Sequence, residues 1–462
     1  MRLARWIWIG LCVAGASARS ATGHRVLVVV PTPGAASDYS DFLDSLKARG
    51  LELEVCGAAN ASVALHGGDG ARMYDHAVLL APTAKRLGSL TAQSLVRFVD
   101  DGGNLLVTAS SDASPMVRTL ATQFGVTLEK RGSRMVDHVG ASASGDAGTV
   151  VSARYAHVPA VLSQKLLASD APPVHFEGVG LRAADIPLLV PVLSAPRTAY
   201  SVPVDDNAVS EAALDLVSVF QTRSNARVAV SGSTALFSDR LMRADGAGNR
   251  QFAADVSQWV LQEKSVLRAS SLRHSLATGE RPDHYRVGSD VVFELDLAEF
   301  SNNAWHTYTA DDVQLELTML DPYVRVTLNH TQAGGADLTT YRGDVRLPDR
   351  YGTFTFRINY KRPGLSNIDV RDVVGIRPPR HDEYPRFLSA AYPYYTSALA
   401  LAVGFLALSA VWLWSAEPKQ SSKTGSDVKS ACDVKPATKA KSTSEEKSTE
   451  PKSKRKSKQK SS

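Results

Sequence analysis

The stretch HRVLVVV, His24–Val30, is followed by DYSDFLDSLKARG, Asp38–Gly50, and then by LELEV, Leu51–Val55. The first is a short, valine-rich apolar run, suited to a strand buried on both faces. The second sets Phe42, Leu43 and Leu46 on one helical face. It ends in Gly50, which can take the left-handed conformation just past a helix. The third reads as another strand. The pattern recurs. HAVLLAP, His76–Pro82, is a strand. TAQSLVRFVDDGGNLLVTASS, Thr91–Ser111, is a helix, a glycine stop and a buried strand. NARVAVSGS, Asn225–Ser233, is a strand, and FAADVSQWVLQEK, Phe252–Lys264, is a helix. This alternation predicts an α/β domain over 24–264, an open, mostly parallel sheet with helices on both faces.

From about Asp283 to Arg380 the period falls to two. DVVFELDL puts Phe293, Leu295 and Leu297 on one face; VQLELTML does so with Val313, Leu315, Leu317 and Met319. YVRVTLN alternates Val324, Val326 and Leu328 against Arg325, Thr327 and Asn329. TFTFRINYK lines up Phe354, Phe356, Ile358 and Tyr360. Several alternating strands close together predict an antiparallel β-sandwich over 283–380.

Two apolar segments predict the topology. MRLARWIWIGLCVAGASARS opens with Arg2 and Arg5, continues with a short apolar core from Trp6 to Gly15, and offers Ala16-Ser17-Ala18 for cleavage. That is the pattern of a secretory signal peptide, residues 1–18. SALALAVGFLALSAVWLW, Ser397–Trp414, carries no charge. Counted from Tyr392, the segment 392–414 would extend roughly 34 Å as a helix, enough for a single transmembrane helix. Tyr392, Tyr394 and Tyr395 at one end and Trp412 and Trp414 at the other suit the two membrane interfaces. A translocated start and one stop-transfer span predict a type I membrane protein with a cytosolic tail, 415–462.

The tail carries the positive charge. The chain has a net charge of +5; from Glu417 onward 13 Lys+Arg face 6 Asp+Glu, which leaves the other 416 residues at −2. A nucleic-acid-binding domain is expected to carry its charge on a folded face, so no nucleic acid is expected as a partner. The Lys/Ser/Glu composition of the tail predicts disorder. Its last residues, KQKSS, place Lys458 and Lys460 as a K-x-K-x-x dilysine signal for retrieval to the endoplasmic reticulum, read by coat machinery. A basic tail touching anionic lipid is a compatible reading.

Signs of chemistry are few. Cys12, Cys56 and Cys432 fall in three separate regions, which excludes a disulfide framework and a CxxC metal site. The strand ends Pro31–Gly34, Ala81–Thr83 and Thr108–Asp112 lie where open α/β sheets bind ligands. They hold no GxSxG, GxxxxGKS or GxGxxG, and no cofactor is expected. Ser110 or Ser111 with Asp137 and His138 offers a nucleophile and base; the competing reading is loop and cap residues. Asn60-Ala61-Ser62 and Asn329-His330-Thr331 are glycosylation sequons. Ser397, Ala400, Gly404 and Ala407 form a small-residue strip on the span, a candidate helix-packing face.

Several stretches carry a resemblance. HDEYPRFLSAAYPYYTSALALAVGF, FVDDGGNLLVTASSD, FEGVGL, NARVAVSGSTALFSD, DDVQLELTMLDPYVR and RLPDRYGTFTFRINY are similar to the 48 kDa subunit family of oligosaccharyltransferase. The resemblance runs through nearly all of the expected lumenal part and the span; the Lys/Ser tail is longer than it implies. It implies a non-catalytic subunit of the endoplasmic reticulum complex that transfers a preassembled glycan from dolichol pyrophosphate to asparagine in N-x-S/T. The catalytic and accessory subunits would be its partners, and the glycan donor or nascent chains could be placed with its help. It further implies an amidotransferase-like sheet lacking that fold's nucleophilic cysteine, since Cys56 ends LELEVC with no glycine-rich elbow. The competing function is a free-standing, membrane-anchored lumenal hydrolase or sugar-binding protein; a cargo receptor is a third.

Overall fold

The computed structural model describes residues 20–60, 63–85, 87–140, 148–202, 213–332, 337–384 and 386–415. The described residues up to Tyr384 form one compact unit, and those from Arg386 onward a second. The expected signal segment, the dilysine pair Lys458 and Lys460, and all of the tail but Ser415 lie outside the described residues.

The first unit is built on a ten-stranded sheet. Glu52–Gly57, Arg25–Val30, His76–Leu79, Asn104–Thr108 and Arg227–Ser231 lie side by side in that order, all parallel. The apolar runs make buried strands: Val26 to Val30 are at most 2% exposed. Phe42, Leu43 and Leu46 of helix Ser40–Ala48 and Phe252, Val256 and Trp259 of helix Asn249–Val260 cover one face with Val26, Val28 and Val78. On the other face, Leu95, Phe98 and Val99 of helix Ala92–Asp100 and Val117 and Leu120 of helix Pro115–Gln123 pack on Leu27, Val29 and Leu79. The result is a three-layer α/β/α arrangement.

Helix ends follow local chemistry. Thr91 caps helix Ala92–Asp100 reciprocally with Ser94. Gly50 closes helix Ser40–Ala48 at φ +85, donating its N–H to the Lys47 carbonyl at 2.7 Å. After the Ala92–Asp100 helix, a side chain at Gly103 would meet the Phe98 ring at 2.4 Å.

The sheet is mixed, not mostly parallel. The turn Thr222–Ala226, with Asn225 at φ +67, folds Asp215–Gln221 back antiparallel on Arg227–Ser231. A hairpin stands where alternation predicts a crossover helix. Leu181–Ala183, Val126–Leu128, Leu189–Ser194 and Arg154–Tyr155 extend the antiparallel half.

Two facing five-stranded sheets follow. One holds Val266–Leu276, Asp290–Ser301, Thr339–Arg346, Asn329–Gln332 and Ala304–Thr307. The other holds His284–Arg286, Ile368–Arg377, Gly352–Tyr360, Gln314–Thr318 and Pro322–Thr327. All pairings are antiparallel except His284–Arg286 with Ile368–Arg377. Phe293, Leu295, Leu297 and Tyr341 from one sheet meet Leu315, Leu317, Phe354, Phe356 and Ile358 from the other. YVRVTLN is not one strand. Pro322–Thr327 belongs to one sheet and Asn329–Gln332 to the other, with buried Leu328 at the crossing.

Polar groups join the α/β part to the sandwich. The fully buried Arg227 guanidinium donates to the carbonyls of Trp259, Lys264 and Ser265 at 2.9, 2.7 and 2.6 Å and to Ser366 Oγ at 3.3 Å. Trp259 Nε1 donates to the Gly364 carbonyl at 2.7 Å. Asn225 and Asn367 exchange two bonds of 3.0 and 2.7 Å.

In the second unit, Tyr392–Trp414 is a helix of 23 residues. It is long and apolar enough to cross a membrane.

Candidate functional site at the carboxyl edge of the sheet

The carboxyl ends of the parallel strands are closed by the chain itself. Thr108 Oγ1 donates to the Leu79 carbonyl at 2.9 Å, and Thr234 Oγ1 donates to the Ala109 carbonyl at 3.2 Å. Ser231 Oγ donates to the Ser233 carbonyl at 2.9 Å; Ser233 Oγ donates to the Glu177 carbonyl and accepts the Leu236 N–H at 3.1 Å. Segment Gly178–Gly180 lies against Gly232, whose carbonyl accepts the Val179 N–H at 2.9 Å. A side chain at Gly178 would come within 2.2 Å of the Gly232 carbonyl oxygen, and one at Gly232 within 2.0 Å of the Val179 carbonyl oxygen. Two backbones touch here because neither position has a Cβ.

Charged groups at this edge satisfy one another. Glu177 accepts from Arg240 Nη1 and from Thr149 Oγ1, both at 2.9 Å. Burial alone would raise the Glu177 carboxyl; Arg240 and Thr149 outweigh it and hold it below the usual range. Asp41 is paired with Arg243 at 2.7 Å and Arg250 at 3.0 Å. The Arg243 hydrogen bonds hold its carboxyl down to about 2. Beside them a polar cavity of about 620 Å³ is lined by Thr149, His175, Glu177, Arg240 and Asp245. Its lining presents an ion pair and the Thr149 hydroxyl, with no cysteine or serine set against a base.

The candidate Ser/His/Asp residues are not assembled. The buried Asp137 carboxylate accepts the N–H groups of Val139 and Gly140 at 3.0 and 2.9 Å and the Thr198 hydroxyl at 2.9 Å, so it shapes its own loop. His138 is exposed and meets Tyr200 in a tilted ring contact, centroids 5.9 Å apart. Among the described residues neither Ser110 nor Ser111 hydrogen-bonds His138; the buried Ser110 hydroxyl has no partner at all. Cys56 is 9% exposed at the end of the sheet's edge strand, and burial with Glu54 nearby pushes its thiol up, away from the reactive thiolate. No cluster of His, Cys, Asp or Glu that could hold a metal occurs among the described residues.

Two family models match almost end to end: the OST48 N-terminal domain over residues 17–263 and the OST48 middle domain over residues 273–416. The chain belongs to the OST48 family. A 48 kDa subunit of dolichyl-diphosphooligosaccharide–protein glycosyltransferase from Arabidopsis thaliana is 34% identical over 85% of this chain and 93% of its own length. The Caenorhabditis elegans protein of that name is 32% identical over 89% and 96%. Subunit wbp1 of the same transferase from Schizosaccharomyces pombe is 33% identical over 81% and 89%.

The motifs behind the resemblance meet in space in this OST48-family chain. FEGVGL supplies Gly178, and NARVAVSGSTALFSD supplies Gly232 and Ser233, which receive it. NARVAVSGSTALFSD also supplies the buried Arg227. In the sandwich, Tyr323 of DDVQLELTMLDPYVR packs edge-on against Phe354 of RLPDRYGTFTFRINY, ring centroids 5.4 Å apart.

The remaining expected positions are dispersed. Asn60 is exposed at a turn, its N–H bonded to the Gly57 carbonyl at 3.0 Å; Ala61 and Ser62 lie outside the described residues. Asn329 is exposed and opens the edge strand opposite Arg342. Ser397, Ala400, Gly404 and Ala407 are exposed on their helix, and a Cβ at Gly404 would meet nothing within 4 Å. Sequence reasoning missed the polar set at the opposite, amino edge, where His76, Asn104 and Arg227 begin three adjacent strands and are all fully buried. Asn104 donates to His76 Nδ1 at 3.0 Å and accepts from Gln262 and from the Arg227 N–H, both at 2.9 Å. The available signal was a polar residue heading three of the apolar runs.

Proposed function

We propose that this chain is a non-catalytic subunit of the oligosaccharyltransferase complex, which transfers a preassembled glycan from dolichol pyrophosphate to asparagine in N-x-S/T. It supports assembly and stability of the complex, with the catalytic and accessory subunits as partners and no nucleic acid. The observation that carries this reading is the family match over residues 17–263 and 273–416, with relatives matched over 89–96% of their own length and named as subunits of that transferase.

In this reading residues 1–18 are a cleaved signal peptide and 24–264 an amidotransferase-like lumenal domain. Residues 283–380 are a lumenal sandwich, 392–414 cross the endoplasmic reticulum membrane once, and 415–462 are a cytosolic tail. Lys458 and Lys460 are read by coat machinery for retrieval. Asn60 and Asn329 accept glycans. Ser397, Ala400, Gly404 and Ala407 pack on a neighbouring helix, and the lumenal part helps to place the dolichol-linked glycan or nascent chains.

The test is affinity purification of the tagged chain in digitonin, with mass spectrometry of what accompanies it. Stoichiometric recovery of a polytopic transferase subunit is expected. Recovery of the chain alone would overturn the proposal and return attention to the hydrolase reading.

A further inference from the structure

The second place to look for a ligand is the junction of the α/β part with the sandwich. There a cleft of about 610 Å³ opens between His157–Ala160 on one wall and Glu299, Tyr308, Asp312, Tyr360 and Arg362 on the other. That volume lies within the usual range for small-ligand sites, roughly 300–1,000 Å³.

Glu299 is the unexpected member. Along strand Asp290–Ser301 the residues Val291, Phe293, Leu295 and Leu297 point into the sandwich core, and strict alternation gives the next inward position to Glu299. A carboxylate in a core row is costly unless partnered. Among the described residues no hydrogen bond or ion pair reaches it, and Glu299 is only half-buried, lining the cleft. Burial pushes its carboxyl up, against the pull of His306 and the buried Arg227.

Around it the polar groups are already ordered. Tyr308 and Tyr360 hydroxyls are 2.9 Å apart, Tyr360 donates to Asp312 at 2.9 Å, and Arg362 Nε donates to the other Asp312 oxygen at 2.6 Å. Asp312 is therefore neutralised by Arg362, and the phenols are fixed in place. The cleft presents one unpaired acceptor group, ordered hydroxyls and apolar surface from Val158, Pro159 and Pro363. With Asp312 paired to Arg362, Glu299 leaves the lining a single negative charge, which disfavours an anionic sugar. A carboxylate with two free oxygens accepts from two adjacent hydroxyls, and the C–H faces of a sugar ring suit proline and tyrosine edges.

We infer that this cleft binds a neutral carbohydrate of two or three residues, with Glu299 accepting from adjacent ring hydroxyls. The subunit reading enters only in the choice of probe. The experiment titrates the full-length chain in digitonin with a fluorescently labelled neutral high-mannose oligosaccharide. Saturable binding is expected. Glu299→Gln should weaken it about tenfold and Tyr308→Phe about threefold, and Asp344→Asn, at an exposed site elsewhere, should leave it unchanged. Glu299→Gln removes an unpaired acid, so its Tm should equal or exceed that of the unchanged chain; a lower Tm would show the glutamate to be structural and overturn the inference. So would an affinity indifferent to Glu299→Gln, an absence of saturable binding, or Glu299-dependent binding of a lysine-rich peptide in place of the sugar. Co-purification with the transferase is read separately: a chain that assembles but binds no sugar refutes this inference alone, and one that binds sugar but does not assemble refutes only the subunit reading.

Discussion

Replacing His76 with glutamine should alter how stability depends on pH. The ring is fully buried at the amino edge of the sheet; Nε2 lies 3.0 Å from the Gly23 carbonyl and Nδ1 accepts from Asn104 at 3.0 Å. Both contacts are satisfied by the neutral ring. Burial, only partly offset by Gly23 and Asp75, brings its pKa from 6.5 to about 4. A group whose folded pKa is depressed takes up its proton first in the unfolded chain. The stabilisation is therefore complete above pH 6.5 and is lost as pH falls through about 4. A shift of that size corresponds to about 3 kcal/mol, of which about 2 kcal/mol lies between pH 7 and pH 4.5. Glutamine does not titrate. Urea unfolding of the full chain in detergent, followed by tryptophan fluorescence, should show the stability gap between the two proteins narrowing by about 2 kcal/mol over that interval. The other titrating groups are common to both proteins; apart from Asp75, which His76 adjoins, they cancel in the difference. Parallel curves would refute the reasoning and mean that the folded state accommodates a charged ring.

Trp259→Phe removes the 2.7 Å bond to the Gly364 carbonyl and leaves that acceptor buried, so a loss of about 2–3 kcal/mol is expected in the same assay. Gly232→Ala would press a methyl group to 2.0 Å from the Val179 carbonyl oxygen; the chain should accumulate poorly, as a pulse–chase experiment will show. Gly404→Leu adds a Cβ that meets no neighbouring atom within 4 Å. It should leave the Tm of the unit up to Tyr384 unchanged while lowering recovery of membrane-protein partners in digitonin pull-downs, as the proposed packing face requires. Ser110→Ala, Ser111→Ala and His138→Ala combined remove the hydroxyls and the imidazole that the hydrolase reading would use, and glycoprotein mobility in cells carrying only that variant should stay normal.

The elements legible in the sequence are those whose burial is uniform. Val26–Val30 and Asn104–Thr108 are buried on both faces and read directly as apolar runs; Phe354, Phe356 and Ile358 alternate because one face of their strand lines the sandwich core. Less was legible where the chain changes partner. Leu189–Ser194 contains Pro191, which sits at a register shift against Asp215–Gln221 and hides the strand. YVRVTLN alternates without interruption, yet passes between sheets at Leu328, a choice made by tertiary pairing. Arg227 looks like a solvated strand start until residues 259–265 and Ser366 fold over it. At the candidate site, Asp137 and His138 are adjacent in sequence but turn to different partners, which spacing alone does not reveal.

The two glycines at the carboxyl edge link the fold to the proposed role. An open α/β sheet offers its crevice where the strands end. In this chain Gly178 and Gly232 bring one backbone onto another at that place, and Ser233 and Thr234 hydroxyls satisfy carbonyls that a ligand's donors could otherwise meet. Neighbouring charges are paired, Glu177 with Arg240 and Asp41 with Arg243 and Arg250. The unpaired carboxylate lies instead at the junction with the sandwich, in a row otherwise reserved for the core. In the proposed role, a sheet whose strand ends are largely met by its own chain acts as a support. Recognition is then left to the surfaces where that support meets its second layer.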